Sequence, residues 1–152
     1  MQAPDQQLVV ERVAVLHRVD LFAGVPGRTL AAVAATAEEL SVEPGATFIE
    51  HGAVEDCLYV VISGRVRVHR GDRTLIELDP GSAVGELAVL VPEPRSASVT
   101  ALEPTRLLRV HKAVLDEVLA DRPELARGVI RSLVARLRAN ADHAAADGSP
   151  AG

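Results

Sequence analysis

The sequence predicts a β-sandwich bracketed by helices. Three observations carry that reading. Apolar residues recur at helical spacing over the first forty positions. Short apolar runs then follow one another, broken by Gly or Pro turns at intervals of roughly 8–12 residues. After His111 the helical period returns. Strands without intervening helices point to a mainly β fold, a β-roll or jelly-roll-like double-stranded sandwich with flanking helices, rather than alternating βαβ units.

Taken in order, residues 1–7 read as a disordered lead-in. From Leu8 to Asp20, Val9, Val13 and Leu16 mark an amphipathic helix. Gly24, Pro26 and Gly27 interrupt it, and a second helix carries Leu30, Val33, Ala37 and Leu40 on one face. Two N-terminal helices are therefore expected over 8–40 and the β-roll over 41–111. Glu43-Pro44-Gly45 opens the β-roll with a turn. Strands are expected at Thr47–Ile49, at the continuous apolar run Cys57–Ile62 and at Arg65–Arg70, where charge alternates with Val. Gly71-Asp72 is a hairpin tip, with Thr74–Leu78 returning from it. Val99–Leu102 and Leu107–Val110 complete the set.

C-terminal helices follow over 112–139. The first, Ala113–Ala120, carries Val114, Leu115, Val118 and Leu119. Asp121-Arg122-Pro123-Glu124 reads as a cap on the next, with Asp121 accepting first-turn N–H groups and Pro123 fitting the first turn. Leu125, Val129, Leu133 and Leu137 form its stripe, with Arg127, Arg131 and Arg138 on another face. Residues 140–152 offer nothing to bury and read as a disordered tail.

Composition narrows the function. The net charge of −5 lacks the footprint of a nucleic-acid binder, and 2% aromatic residues argue against a base-stacking platform. A single cysteine, Cys57, excludes an internal disulfide. With no apolar run of membrane-spanning length, direct membrane insertion is not expected, and the setting reads as cytoplasmic.

One segment departs from strands and turns: Val84-Gly85-Glu86-Leu87-Ala88-Val89-Leu90-Val91-Pro92-Glu93-Pro94-Arg95-Ser96-Ala97-Ser98. Gly85 permits close backbone approach, and residues 86–90 suit a helical turn or two whose first N–H groups can face an anion. Arg95 offers a planar cation for a phosphate, and Glu86 offers acceptors for sugar hydroxyls. A carboxylate and an arginine on one short loop suit a nucleotide.

Gly85-Glu86-Leu87-Ala88 followed by Pro94-Arg95-Ser96-Ala97-Ser98 resembles the phosphate-binding cassette of cyclic nucleotide-binding domains, the family of catabolite-activator regulators, kinase regulatory subunits and cyclic-nucleotide-gated channels. The likeness extends over residues 8–139 and includes Asp20-Leu21-Phe22 and Leu58-Tyr59-Val60-Val61-Ile62-Ser63-Gly64. It implies a non-enzymatic regulatory module for cyclic AMP or cyclic GMP, with no other cofactor. Glu86 would meet the ribose 2′-hydroxyl and Arg95 the cyclic phosphate. Backbone near Leu87, Ala88, Ser96 and Ala97 would complete the cradle, and Gly85 would admit it. Ser96 stands where a hydroxyl meets guanine in some members and phosphate in others. Val84 departs from the usual Phe. Leu133, Arg136 and Leu137 are candidate lid contacts, although Arg136 can also be read as a snorkelling side chain. Movement of the C-terminal helices would transmit occupancy to an effector domain or partner other than a helix-turn-helix, for which too little chain follows Ala139.

Two other readings remain. The same fold could carry a degenerate pocket and serve as a protein-interaction or dimerisation module. Gly45, His51 and Glu55 also resemble part of the first metal motif of cupin enzymes, which needs a further His where Ala53 stands. His69, expected on an exposed strand face, and His111, at a helix start, are weak substitutes, so no metal is expected.

Overall fold

The computed structural model describes residues 6–85 and 93–146. Helix α1 (Gln6–His17), a 3₁₀ turn (Asp20–Phe22) and α2 (Gly27–Thr36) precede the strands. These are β1 (Glu38–Val42), β2 (Thr47–Ile49), β3 (Cys57–Ser63), β4 (Val66–Arg70), β5 (Arg73–Leu78), β6 (Ala83–Val84), β7 (Ser98–Ala101) and β8 (Thr105–His111). Helices α3 (Lys112–Asp121) and α4 (Pro123–Ala146) follow. Two antiparallel sheets, ordered β1-β8-β3-β6 and β2-β7-β4-β5, form the sandwich.

Strand β3 shows why the fold has three layers. Its continuous apolar run is split by the period of two. Leu58, Val60 and Ile62 face the helices, where they join Leu16, Phe22, Leu30, Val33 and Leu115. Cys57, Tyr59 and Val61 face the second sheet and meet Ile49, Val66 and Val99. Both faces are covered, so an all-apolar strand is what the position requires.

Five expectations are corrected. Leu40 does not continue the second helix, which ends at Thr36; it lies on β1 opposite Leu107. Its spacing from Ala37 mimicked a helix, but Glu38 and Glu39 find cross-strand cations on β8 in Arg109 and Arg106, which favours the strand. At the two ends, Gln6 and Gln7 belong to α1, and α4 continues to Ala146 through an alanine-rich stretch that sustains a helix on propensity. Asp121 is the last residue of α3 rather than a cap of α4, which Pro123 opens. His69 is 9% exposed, because its two ring nitrogens lie 2.8 Å from the Gly71 carbonyl and 2.7 Å from Thr100 Oγ1, holding the ring against β7 and the hairpin turn.

Candidate functional site

The site is built where β6 ends beside the start of β3. Pairing of Tyr59 with Val84 brings Gly85 against the Cys57 carbonyl. Gly85 has φ +98°, and a Cβ there would run into Arg95 Nη1 and stand 2.9 Å from the Cys57 oxygen. Only glycine fits.

The far arm of the segment is fixed to the loop between β2 and β3. Arg95 N–H donates to the Ala53 carbonyl at 2.7 Å, and Gly52 N–H donates to the Arg95 carbonyl at 2.8 Å. Val54 bridges Pro94, and Arg70 Nε donates to the Ser96 carbonyl at 2.8 Å. These bonds set Arg95 inward. Its side chain is only 6% exposed. Nη2 donates to the Cys57 carbonyl at 2.9 Å and to Glu55 Oε2 at 3.3 Å, while the buried Nε has no partner among the described residues. Arg12 and Arg109 share that feature; what sets Arg95 apart is a buried cation held beside a glycine that leaves room for close approach.

The surroundings are tightly organised. Tyr59 hydroxyl donates to Glu55 Oε2 at 3.3 Å, and Phe48 meets the Tyr59 ring edge-on at 5.5 Å between centroids. Burial pushes the Tyr59 phenol up to about 12 and raises the Cys57 thiol as well. At the adjoining edge, the hydrogen bond from His111, followed by that from Arg109, holds the Glu38 carboxyl below its ordinary range.

Of the residues singled out in the sequence, Val84, Gly85, Arg95, Ser96 and Ala97 are brought to this corner. Val84 packs with the inter-sheet cluster, Ala97 is buried and Ser96 is exposed. Glu86, Leu87 and Ala88, with the short helix expected there, lie outside the described residues. Leu133 packs against the helix-side core, whereas Leu137 is 68% exposed. Arg136 lies on α4, with its side chain outside the described set. Of the cupin-like set, Glu55 faces Arg95 and Tyr59, and His51 is exposed; no three His, Cys, Asp or Glu side chains converge among the described residues. The sequence carries no local signal that joins Glu55 to Arg95, which lies 40 residues further along the chain.

The family model described as the cyclic nucleotide-binding domain matches residues 39–122, more than half of the chain. The chain belongs to this family. The cyclic nucleotide-binding domain described here is 31% identical over 129 residues to a CRP-like cAMP-activated global transcriptional regulator of Mycobacterium tuberculosis, covering 82% of this chain and 58% of that protein. It is 37% identical over 81 residues to a cGMP-dependent protein kinase of Eimeria tenella, covering 53% of this chain and 8% of the kinase. The chain thus spans a little over half of the first relative and a small part of the second. Among solved structures, the N-terminal domain of a transcriptional regulator from Streptomyces coelicolor shares 34% identity at a TM-score of 0.71, covering 85% of this chain and 94% of that one. The flanked β-sandwich is the fold of the family, and the domain is of the regulatory type.

Proposed function

We propose that this domain is a non-enzymatic receptor for a cyclic purine nucleotide, cyclic AMP or cyclic GMP, with Arg95 holding the cyclic phosphate. The observation that carries this is Arg95 itself, a buried cation fixed by its own backbone beside a glycine that admits close approach. Glu86 takes the ribose 2′-hydroxyl, and backbone at Leu87, Ala88, Ser96 and Ala97 completes the cradle. The two curated relatives are named for different cyclic nucleotides, and Ser96, which is exposed, is the residue we assign to reading the base or the phosphate.

A route for the output is short. The loop that pins Arg95 ends at Asp56, whose carbonyl accepts from Lys112 N–H at 3.0 Å, the first residue of α3. A pull on Arg95 therefore reaches the base of the C-terminal helices within a few residues, and α3 and α4 repack, with Leu133, Arg136 and Leu137 as the lid contacts. A ligand shifts that equilibrium only by its differential affinity for the two arrangements. The effector lies on a longer chain or a separate partner, in the cytoplasm, where the free Cys57 thiol persists.

The test is thermal unfolding with saturating cyclic AMP, cyclic GMP or linear AMP. At ~100 times the dissociation constant the correct nucleotide adds about 2.7 kcal/mol, a clear rise in Tm. A rise with a cyclic nucleotide and none with AMP supports the receptor and names its base. No rise with any of them turns the reading to a docking or dimerisation module.

A further inference from the structure

Glu55 plays no part in the reading above, yet it holds the same guanidinium. Its carboxylate is 34% exposed and lies 3.3 Å from Arg95 Nη2. Tyr59 holds it from the interior by a hydroxyl hydrogen bond of 3.3 Å, and Tyr59 is fixed in turn by burial and by Phe48. The carboxylate is therefore tethered rather than free to swing into solvent. An anion arriving at Arg95 meets a cation whose Nη2 already carries a negative partner. Two anions on neighbouring nitrogens of one guanidinium repel, and partial desolvation strengthens that repulsion.

We infer that Glu55 is an internal competitor of the phosphate, a residue that weakens anion binding at Arg95 and so sets the nucleotide concentration to which the domain responds. This rests on the reading of Arg95 as the phosphate-binding residue. The pairing has a second consequence. Because Glu55 and Asp56 are adjacent and Asp56 is bonded to the start of α3, repulsion of the tethered Glu55 carboxylate by phosphate would be felt at the same hydrogen bond that leads to the C-terminal helices.

The experiment is calorimetric titration of cyclic AMP and cyclic GMP into the wild-type chain, Glu55→Gln, Glu55→Ala and Arg95→Ala. Glu93→Gln, at the exposed end of the same segment, is the control for loss of one acidic charge. Thermal unfolding without nucleotide shows that each variant folds, and Glu55→Ala carries the test if Glu55→Gln does not. The expected result is about tenfold tighter binding on neutralising Glu55, the order set by removing one like charge beside the phosphate in a partly wet site. The Glu93→Gln control stays within about twofold of wild type, as a screened surface charge should. Binding by Glu55→Gln alone, with wild type too weak to measure, supports the inference in its strongest form. Unchanged or weaker binding in both Glu55 variants, with wild type binding and Arg95→Ala not, overturns the inference and leaves the phosphate reading standing. Absence of binding in wild type and both Glu55 variants overturns both.

Discussion

Gly85 and Tyr59 show how single residues shape the corner around Arg95. Gly85 combines a left-handed φ of +98° with contact to both Arg95 and the Cys57 carbonyl, so Gly85→Ala carries backbone strain and a clash together. Its expected effect is a loss of about 1–3 kcal/mol in stability, measured by denaturant unfolding, with nucleotide affinity falling in parallel. Tyr59 is the sole tyrosine of a chain with no tryptophan, so its ionisation can be followed directly by near-ultraviolet absorbance. The folded protein should titrate near 12, against 10 for an ordinary phenol. Because folding favours the neutral phenol, the contribution of this group to stability is complete below pH 10 and is lost as pH rises toward about 12. A folded-state midpoint near 10 would show that the ring is not buried against Glu55 and Phe48 as described.

At the scale of elements, α4 depends on one close approach. A Cβ on Gly128 would run into the Leu21 carbonyl, so the helix rests on the 3₁₀ turn only because that position has no side chain. Gly128→Ala would gain helix propensity yet is expected to destabilise the domain by about 1–3 kcal/mol, with α4 losing hydrogen-exchange protection first. A stabilised variant would mean that α4 is not held on that turn. The strands most legible in the sequence were those whose burial is complete or whose alternation is regular, β3 above all. Strand β1 was hidden because Leu40 extends the spacing of Leu30, Val33 and Ala37, while the partners that decide its strand form, Arg106 and Arg109, lie 67 and 71 residues away. Strand β6 has two residues, too few for any period to register. His69 fell on the polar face as its alternation implied, but Thr100 and the Gly71 carbonyl cover it, and neither contact is local enough to read from pattern. Within the candidate site, the motif spacing singles out Gly85 and Arg95, which the fold brings into contact. Glu55 and the Cys57 carbonyl were not legible, because their role depends on which loop the far arm of the segment binds.

For the molecule as a whole, the sandwich serves to bring two distant loops to one buried cation. One sheet supplies Gly85 and the Cys57 carbonyl, the loop between β2 and β3 supplies Glu55, and the same loop is bonded to the first residue of α3. In the proposed reading, recognition and output share one short stretch of backbone. The central claim is that Arg95 is the anchor for a cyclic phosphate. The most direct test is calorimetric titration of cyclic AMP and cyclic GMP into wild type and Arg95→Ala, each first shown to be folded. Removal of a charged, two-pronged contact should weaken binding by at least about 100-fold, since hydrogen bonds to charged groups contribute about 1.5–3 kcal/mol each. Affinity within a few-fold of wild type for folded Arg95→Ala would contradict the account.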